Sequence, residues 1–562
     1  LVIKGLHLKF GSSGESNPLS FDPNPVTVFV GPNNSGKSLI LREIEEFIHG
    51  GGSSEIERKI INALTLVSID ALAARMLFEG KKTNLKQGDS PLQDEEIMVS
   101  RLDPINSREN RIRLNLPIAA AEVAKGTQFS WILRQLVYLY TIRLDGRTRF
   151  GLTEARGADD LQKPATSHLM ALFLDDEARK QLRDKTYEAF GLYFTIDPSA
   201  MTQFRIRMSS REPSGPDEEQ GLTLRARKFQ AGAAHIEELS DGIKAFTGLL
   251  AAVMCADYRI MLIDEPEAFL HPPLAKKLGQ NLTELAASRQ GNVLASTHSP
   301  DFLMGCIQAG AGVNIVRLTY DDGFATARLL AADSLNIIMR DPLMRSTGIL
   351  AALFHKGAVV CEADSDRAFY QEINERLLHF KEDGFKDSIF LNAQNKQTVY
   401  KIASPLRKMG IPAAVIVDLD ILKGGGDFKN LLKGCCVPDQ TAEGWAATRA
   451  KIYNNSYKAQ GLDPKRVGLS KIDESAREAL KTLISNLEQY GIFVLEVGEL
   501  EKWLPELAVS GHGPSWLINI FEKMGSDPSE ENYIKPKVGG VWDFVSRIGR
   551  WISNPKRNGM PG

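Results

Sequence analysis

VTVFVGPNNSGKSLILREIEEFIH, residues 26–49, sets a β-branched apolar run before a glycine-rich loop and a stretch of helix formers. The loop itself, GPNNSGKS at 31–38, fits the spacing G-x-x-x-x-G-K-[ST]. Strand, loop and helix in that order are the setting in which this spacing holds phosphate. Gly31 and Gly36 let the backbone approach phosphate oxygens, and Asn33, Asn34 and Ser35 complete the loop between them. The helix start offers unpaired N–H groups and the positive end of its dipole. Lys37 is placed to reach the β- and γ-phosphates of ATP and Ser38 to ligate Mg²⁺. The plain alternative is a glycine-rich turn that merely starts a helix. Motif and context together favour nucleotide.

A nucleotide site of this kind needs an acid at the end of a neighbouring strand. IMLIDEPEAFLHP, 260–272, supplies one: an apolar run delivers Asp264 to the metal side, and Glu265 follows as the group to orient and deprotonate water. LASTHSP, 294–300, ends another buried run at His298, a candidate γ-phosphate contact that is equally at home as a structural histidine. LSDGIK, 239–244, puts Ser240 and Gly242 at a helix start, a second anion-binding arrangement.

The chain of 562 residues is too long for one hydrophobic core, so two or three domains are expected. Its net charge of −2 leaves any nucleic-acid contact to local basic patches. The cysteines are Cys255, Cys306, Cys361, Cys435 and Cys436, without a CxxC pair. That argues against a disulfide framework or zinc site and for a reducing, cytoplasmic setting. No apolar run approaches the roughly 20 residues of a membrane span, and neither a signal peptide nor a membrane partner is expected.

A second alternating series begins near residue 350: GAVVCEA, SIFLNA and PAAVIVDLD read as strands, with helical patterns between them. This predicts a second α/β domain with its own parallel sheet. Glu362 and Asp366 are separated by three residues at a strand end and helix start, and VIVDLD at 415–420 ends a strand with Asp418 and Asp420. Period two in an extended chain points Asp418 and Asp420 to one side. If the two strands are neighbours, four carboxylates converge at one sheet edge. Clustered acids call for a hard cation, Mg²⁺ or Mn²⁺, which suits phosphodiester cleavage. The alternative is solvated strand-end acids, and for Asp364 a helix N-cap is the favoured role.

In order, the phosphate loop, LSDGIK, DEPEAFLHP and THSP resemble the ABC-type ATPase heads. That resemblance implies that Ser240 and Gly242 of one protomer close over nucleotide held by another, in a homodimer or higher homo-oligomer joined through the heads. E-x-x-x-D followed by D-x-D is similar to a Toprim domain. An ABC-type ATPase followed by Toprim resembles the overcoming lysogenization defect (OLD) family of endonucleases, which includes Gabija-type phage-defence nucleases. The implied fold is an α/β ABC/AAA-like ATPase head over residues 1–345, with a helical, dimerising insertion within 55–230. A smaller α/β Toprim nuclease-like domain with a parallel sheet and a basic C-terminal segment follows over 346–562. The implied activity is ATP-regulated, divalent-metal-dependent DNA cleavage in bacterial anti-phage defence, with a further defence-system protein as partner.

Two readings stand beside it: an ATPase sensor or scaffold with a silent Toprim controlling a partner effector, and an SMC-like repair ATPase that does not cut. Ala363 stands where the Toprim pattern has glycine, which favours the sensor. The resemblance also points to Glu499 and Glu501 in VLEVGELEKWL as second-metal ligands, or else surface acids. It implies a lysine near the C-terminus, Lys535 or the better-placed Lys537, supporting charge at the scissile phosphate. Trp542 and Trp551 among the basic residues of 535–557 suggest a surface that tracks a phosphate backbone, or a solvated basic helix.

Overall fold

Val26–Val30 (β1) is buried along its whole length because it lies inside a sheet, with neighbours on both sides. In a computed structural model, the chain forms two compact units: Leu1–Val30 with Asn34–Ala332, and Asp333–Gly562, to which Gly31–Asn33 are assigned. The structure describes residues 2–13, 16–23, 25–50, 57–104, 110–126, 130–289, 291–310, 312–321, 323–330 and 348–561. The domain boundary expected at 345/346 lies outside the described residues.

The first unit is built on a six-stranded sheet. After β1 and the helix α1 (Lys37–Gly50) come β2 (Thr141–Leu144), α2 (Asp241–Met254), β3 (Ile260–Asp264) and α3 (Pro272–Arg289). They are followed by β4 (Asn292–Ser296), α4 (Pro300–Gln308), β5 (Val313–Asp321) and β6 (Phe324–Leu330). The strand order is β6-β5-β1-β4-β3-β2, parallel throughout except for the edge hairpin β5/β6. Strands covered on both faces read as unbroken apolar runs, and VTVFV, IMLI and NVLA do so. Phe29, Leu262 and Leu294 from the sheet pack with Ile40, Leu41 and Ile44 of α1 in one core.

The stretch expected to be a helical insertion carries helices at 71–79, 116–124, 131–139, 168–174, 176–190 and 224–232. It also carries antiparallel pairs, Glu96–Arg101 with Asn110–Asn115 and Tyr193–Asp197 with Gln203–Ser209. REPSGPDEEQG, 211–221, looks like a polar loop in sequence but contains a helical turn, Pro216–Glu219. Glu218 and Glu219 are buried there because arginines meet them: Arg211 and Arg225 on Glu218, Arg179 and Arg183 on Glu219.

The second unit holds four parallel strands: β7 (Gly357–Cys361), β8 (Ser388–Asn392), β9 (Ala413–Val417) and β10 (Ile492–Val494), in the order β8-β7-β9-β10. Helices α5 (Asp364–His379) and α6 (Lys396–Lys408) connect the first three strands. Before β10 lie the short α7 (Pro464–Val467) and α8 (Glu474–Gln489). The last helix, α9 (Gly540–Ser553), presents Val541, Trp542, Phe544, Val545 and Ile548 to the core beside Phe369 and Phe493. Trp542 and Trp551 are therefore core side chains, not stacking platforms for bases. Three basic residues of this segment form ion pairs: Arg547 with Glu488, Arg550 with Asp383, Lys537 with Glu506.

Candidate nucleotide and metal sites

At the end of β1 the chain turns through Gly31 (φ 147°) and Asn34 (φ 61°), then Gly36 (φ 92°). Gly36 has a second constraint, since a Cβ there would lie 2.7 Å from Ile60 Cδ1. Ile60 is fixed in turn by Glu43 of α1, whose buried carboxylate accepts N–H bonds from Lys59, Ile60 and Ile61 at 2.6, 3.0 and 2.8 Å. Lys37 and Ser38 open α1, with Lys37 buried. The Ser35 hydroxyl is buried without a hydrogen-bond partner, an orphan that suits a phosphate oxygen.

Asp264 ends β3, two strands from β1, and the sheet order brings it to the loop. Ser38 Oγ donates to Asp264 Oδ1 at 2.9 Å, and Ser296 Oγ at the end of β4 donates to the same oxygen. A hydroxyl and a carboxylate joined in this way, beside a helix N-terminus, fit a hydrated Mg²⁺ on a nucleotide. Glu265 takes left-handed backbone (φ 48°) and is anchored by its N–H to Ser296 O at 2.9 Å. Strain at a non-glycine residue costs about 1–3 kcal/mol and persists where the surroundings hold it. Here the holder is Arg149, which sequence reasoning missed. Its buried guanidinium donates to the carbonyls of Asp264, Glu265, Pro266 and Ala268.

His298 Nε2 stands 3.7 Å from Glu265 Oε1, and His298 N–H donates to Glu267 Oε1 at 2.8 Å. Burial and then the Lys37 charge lower the His298 pKa, so the ring is held neutral. Ser240 is the N-cap of α2 and makes no side-chain cap bond. Gly242 lies against the same turn that carries Glu265, for a Cβ there would meet Phe269 O at 3.2 Å.

The second unit gathers acids at the C-terminal edge of its sheet. Glu362 follows β7 and Asp418 follows β9, its direct neighbour. Glu362 Oε1 accepts the Asp418 N–H at 2.9 Å. Asp420 does not continue the strand, as period two had suggested. It sits in a 3₁₀ turn, Leu419–Leu422, because Leu419 N–H leaves the ladder for Gly498 O at 3.1 Å. The turn still brings it in: oxygens of Glu362, Asp418 and Asp420 lie within 4.8 Å of one another. Asp420 Oδ1 is buried with no hydrogen-bond partner. Three converging carboxylates with one orphaned oxygen fit a hard divalent cation.

Asp366 Oδ2 accepts the Ala363 N–H at 2.9 Å and so caps the start of α5. Asp364, expected as the cap, is exposed and pairs with Arg367 at 2.7 Å instead. Ala363 has φ −131° and ψ 170°, extended backbone open to any residue, so its methyl does not displace Glu362. Burial and the Asp418 charge push Glu362 up to about 8 and Asp366 up to about 7. Burial also raises Asp418 against the opposing pull of Lys465.

Glu499, Glu501 and His512 form a second group within 4.8 Å. Glu501 accepts the Gly513 N–H at 2.9 Å, and its charge is felt at Asp366 and Asp418, so this group borders the first. Two lysines that the sequence did not single out stand on the acids. Lys465 Nζ is 2.6 Å from Asp418 Oδ2, and Lys396 Nζ is 2.8 Å from Asp420 Oδ2. Lys537 pairs with the exposed Glu506, and Lys535 lies 5.8 Å from the Phe380 ring.

Residues 77–304 match the family described as "AAA domain, putative AbiEii toxin, Type IV TA system", a match that begins after the phosphate loop. Residues 353–420 match "Overcoming lysogenization defect protein-like, TOPRIM domain", spanning Glu362 through Asp420. No curated protein matches the chain. Among solved structures, an SMC head bound to the C-winged helix domain of ScpA is similar at 16% identity and TM-score 0.33, over 60% of this chain and 100% of that one. The SMC head domain from Thermotoga maritima follows at 16% identity and TM-score 0.28, over 59% and 99%. The Pyrococcus furiosus SMC head with an extended coiled coil has 15% identity and TM-score 0.30, over 60% and 98%. No helix among the described residues is long and apolar enough to cross a membrane.

Proposed function

We propose that this chain, which has the AAA ATPase–Toprim order of the overcoming lysogenization defect family, is an ATP-regulated DNA endonuclease that depends on a divalent cation. The observation that carries the cleavage reading is the cluster of Glu362, Asp418 and Asp420, with Asp420 Oδ1 buried and unpartnered. In the reaction, a water oxygen bonds to phosphorus and one bridging P–O bond breaks. The water gives up a proton to solvent, and the leaving oxygen takes one back. Mg²⁺ or Mn²⁺, when bound, supplies the positive charge that activates water and stabilises the leaving oxygen. Glu362, Asp418 and Asp420 are the residues to hold it, with Asp366 fixing the start of α5 beside them.

At the other site ATP is held by Gly31, Asn33, Asn34, Ser35, Gly36, Lys37 and Ser38, with Asp264 on the metal side. Glu265 orients water, and the neutral His298 contacts the γ-phosphate. Ser240 and Gly242 act toward a second copy. A bacterial anti-phage role with a defence-system partner follows from the family resemblance.

A sensor reading also has an observation of its own. Lys396 and Lys465 already neutralise two of the acids, and a cluster so balanced can stand without metal. A nicking assay on supercoiled plasmid, with Mg²⁺, with Mn²⁺ and with EDTA, decides between them. Metal-dependent nicking supports the endonuclease, and intact plasmid with both metals supports the sensor.

A further inference from the structure

We infer that an open cavity of the first unit, beside the helix Leu224–Gly232, binds a phosphate group of a ligand held apart from both sites described above. The cavity measures about 590 Å³, which is room for a molecule of nucleotide size. It shares no residue with the phosphate loop, with Asp264 and Glu265, or with the acidic centre.

Two segments make its walls. The strand Gln203–Ser209 ends there, and Ser209 Oγ fixes the next residues by donating to Arg211 O at 2.7 Å. Opposite, Thr223 starts the helix by accepting the Ala226 N–H at 3.2 Å. The helix buries Ala226 and Phe229, and Arg225, Lys228 and Gly232, spaced by three and four, line the cavity. The Arg211 guanidinium lies 4.6 Å over the Phe229 ring. Below both arginines the turn Pro216–Glu219 inserts Glu218. It accepts two bonds from Arg211 at 2.9 Å each, one from Arg225 at 3.2 Å, and two more from the N–H and hydroxyl of Ser214.

Glu218 anchors these cations without cancelling them. Arg211, Arg225 and Lys228 against one lining acid leave two positive charges at the cavity. Glu212 and Asp217 are exposed on the same loop and do not line it. Five hydrogen bonds fill both oxygens of Glu218, yet each guanidinium has five donors, and those of Arg211 and Arg225 stay 56% and 72% exposed. Lys228 makes no ion pair or hydrogen bond among the described residues. Long side chains held in place beforehand lower the ordering cost of binding. Arginine forks match the spacing of phosphate oxygens, and lysine adds a point charge. Leu224 and Phe229 give the cavity an apolar side for the uncharged part of the ligand.

The test uses the full chain carrying Lys37→Ala, to take the phosphate loop out of competition, in EDTA, to prevent metal-bridged binding at the acids. Inorganic pyrophosphate is titrated by isothermal calorimetry into this parent and into proteins with one further substitution. Lys228→Met removes a charge that holds nothing else. Gly232→Phe fills the cavity and leaves every charge in place, since a Cβ there would meet nothing within 4 Å. Each should weaken binding at least about tenfold, the scale of one hydrogen bond to a charged group. Arg227→Met, on the same helix but outside the cavity, should bind as the parent does. A parent that binds no pyrophosphate overturns the inference, and so does binding that Lys228→Met leaves unchanged. Should Gly232→Phe not fold, Lys228→Met decides alone. A free phosphorylated molecule and a nucleic-acid backbone both carry the group, and a second arm separates them by the salt dependence of binding a short DNA duplex. A slope smaller by about 0.9 in Lys228→Met, the value of one phosphate contact, assigns the site to nucleic acid. An unchanged slope, with pyrophosphate binding lost, assigns it to a free phosphorylated molecule.

Discussion

Ser38 and Asp264 are 226 positions apart in sequence and share a hydrogen bond of 2.9 Å. The bond joins the helix after the phosphate loop to the strand end that carries Glu265. A nucleotide-bound Mg²⁺ fits the place where this hydroxyl and carboxylate meet. Lys37→Ala should abolish ATP binding, measured by fluorescence of a labelled nucleotide. Glu265→Gln should bind as the wild type does and slow hydrolysis by at least about tenfold, since it keeps the fold and removes the base. Normal turnover in either variant contradicts the assignment.

Arg149 gathers four carbonyls of the turn around Glu265. A lysine in its place has too few donors for that fork, and a methionine has none. Arg149→Met should cost about 3 kcal/mol of stability, because buried carbonyls lose their donor. Arg149→Lys should keep more of that stability and still lower the rate of hydrolysis at saturating ATP, since Glu265 is no longer held in left-handed backbone. Thermal unfolding and steady-state ATPase assays read the two effects separately. An Arg149→Lys protein with a lowered melting temperature and full turnover would show that the turn needs bulk and not positioning.

Six strands of the two sheets, at 26–30, 260–264, 292–296, 357–361, 388–392 and 413–417, were legible in the sequence because they are apolar runs with no alternation to mislead, whereas the strands at 141–144, 313–321, 324–330 and 492–494 were not. Gly31, Lys37 and Asp264 were legible because a phosphate loop is local in sequence. Arg149, Lys396 and Lys465 were not. Each acts on residues 24 to 119 positions away, and an isolated Arg or Lys in a sequence looks like any solvated charge. Asp420 was found for the wrong reason: the chain bends into a 3₁₀ turn, and a contact with Gly498 sets that bend. Trp542 and Trp551 misled because interleaved aromatics and bases also describe an amphipathic helix with its apolar side in a core.

Ser240 makes no cap bond within its own chain, and Gly242 abuts Phe269 O in the turn beyond Glu265. If these groups serve a second copy, Ser240→Arg should block hydrolysis while nucleotide still binds. Mixing it with Lys37→Ala protein should restore a fraction of wild-type turnover, because one composite site in the mixed pair is undamaged. The mixture is assayed after subunit exchange has been verified by fluorescence energy transfer. No recovery would place Ser240 in a site of its own chain.

Glu362 ionises near 4.5 in an unfolded chain and is pushed up to about 8 here, with Asp366 up to about 7. Between those values the folded protein binds more protons than the unfolded one. The contribution of these two acids to stability is therefore fully present below about pH 4.5 and is lost as pH rises toward 8. In EDTA, the melting temperature should fall between pH 5.5 and 8.5, and Mn²⁺ added at pH 8 should raise it again. Glu362→Gln removes the titration and should flatten the slope. Parallel slopes for wild type and variant, followed by dye-based thermal scans, would show that Glu362 does not carry the proton.

The acids of the second unit also predict a separation of activities. Asp418 and Asp420 bring their oxygens to Glu362 from a strand end and the turn after it, and no acid of the nucleotide site takes part. Asp420→Ala removes one cation ligand and leaves Lys396 without its partner, so the centre loses a negative charge and gains an unpaired positive one. Cleavage should fall at least about 100-fold, a loss on the order of 3 kcal/mol of transition-state stabilisation. ATP hydrolysis should continue near the wild-type rate. Asp364→Ala offers the contrast, because Asp364 is exposed and holds only Arg367. A surface pair of this kind is worth at most about 1 kcal/mol, and cleavage should change less than about threefold. Both activities are to be measured on the same preparations, with Mg²⁺ and with Mn²⁺, since Mn²⁺ tolerates a missing ligand better and should recover part of the Asp420→Ala loss. Full cleavage by Asp420→Ala would remove this residue from the metal set. An equal fall in ATP hydrolysis would show instead that the substitution damages the whole chain.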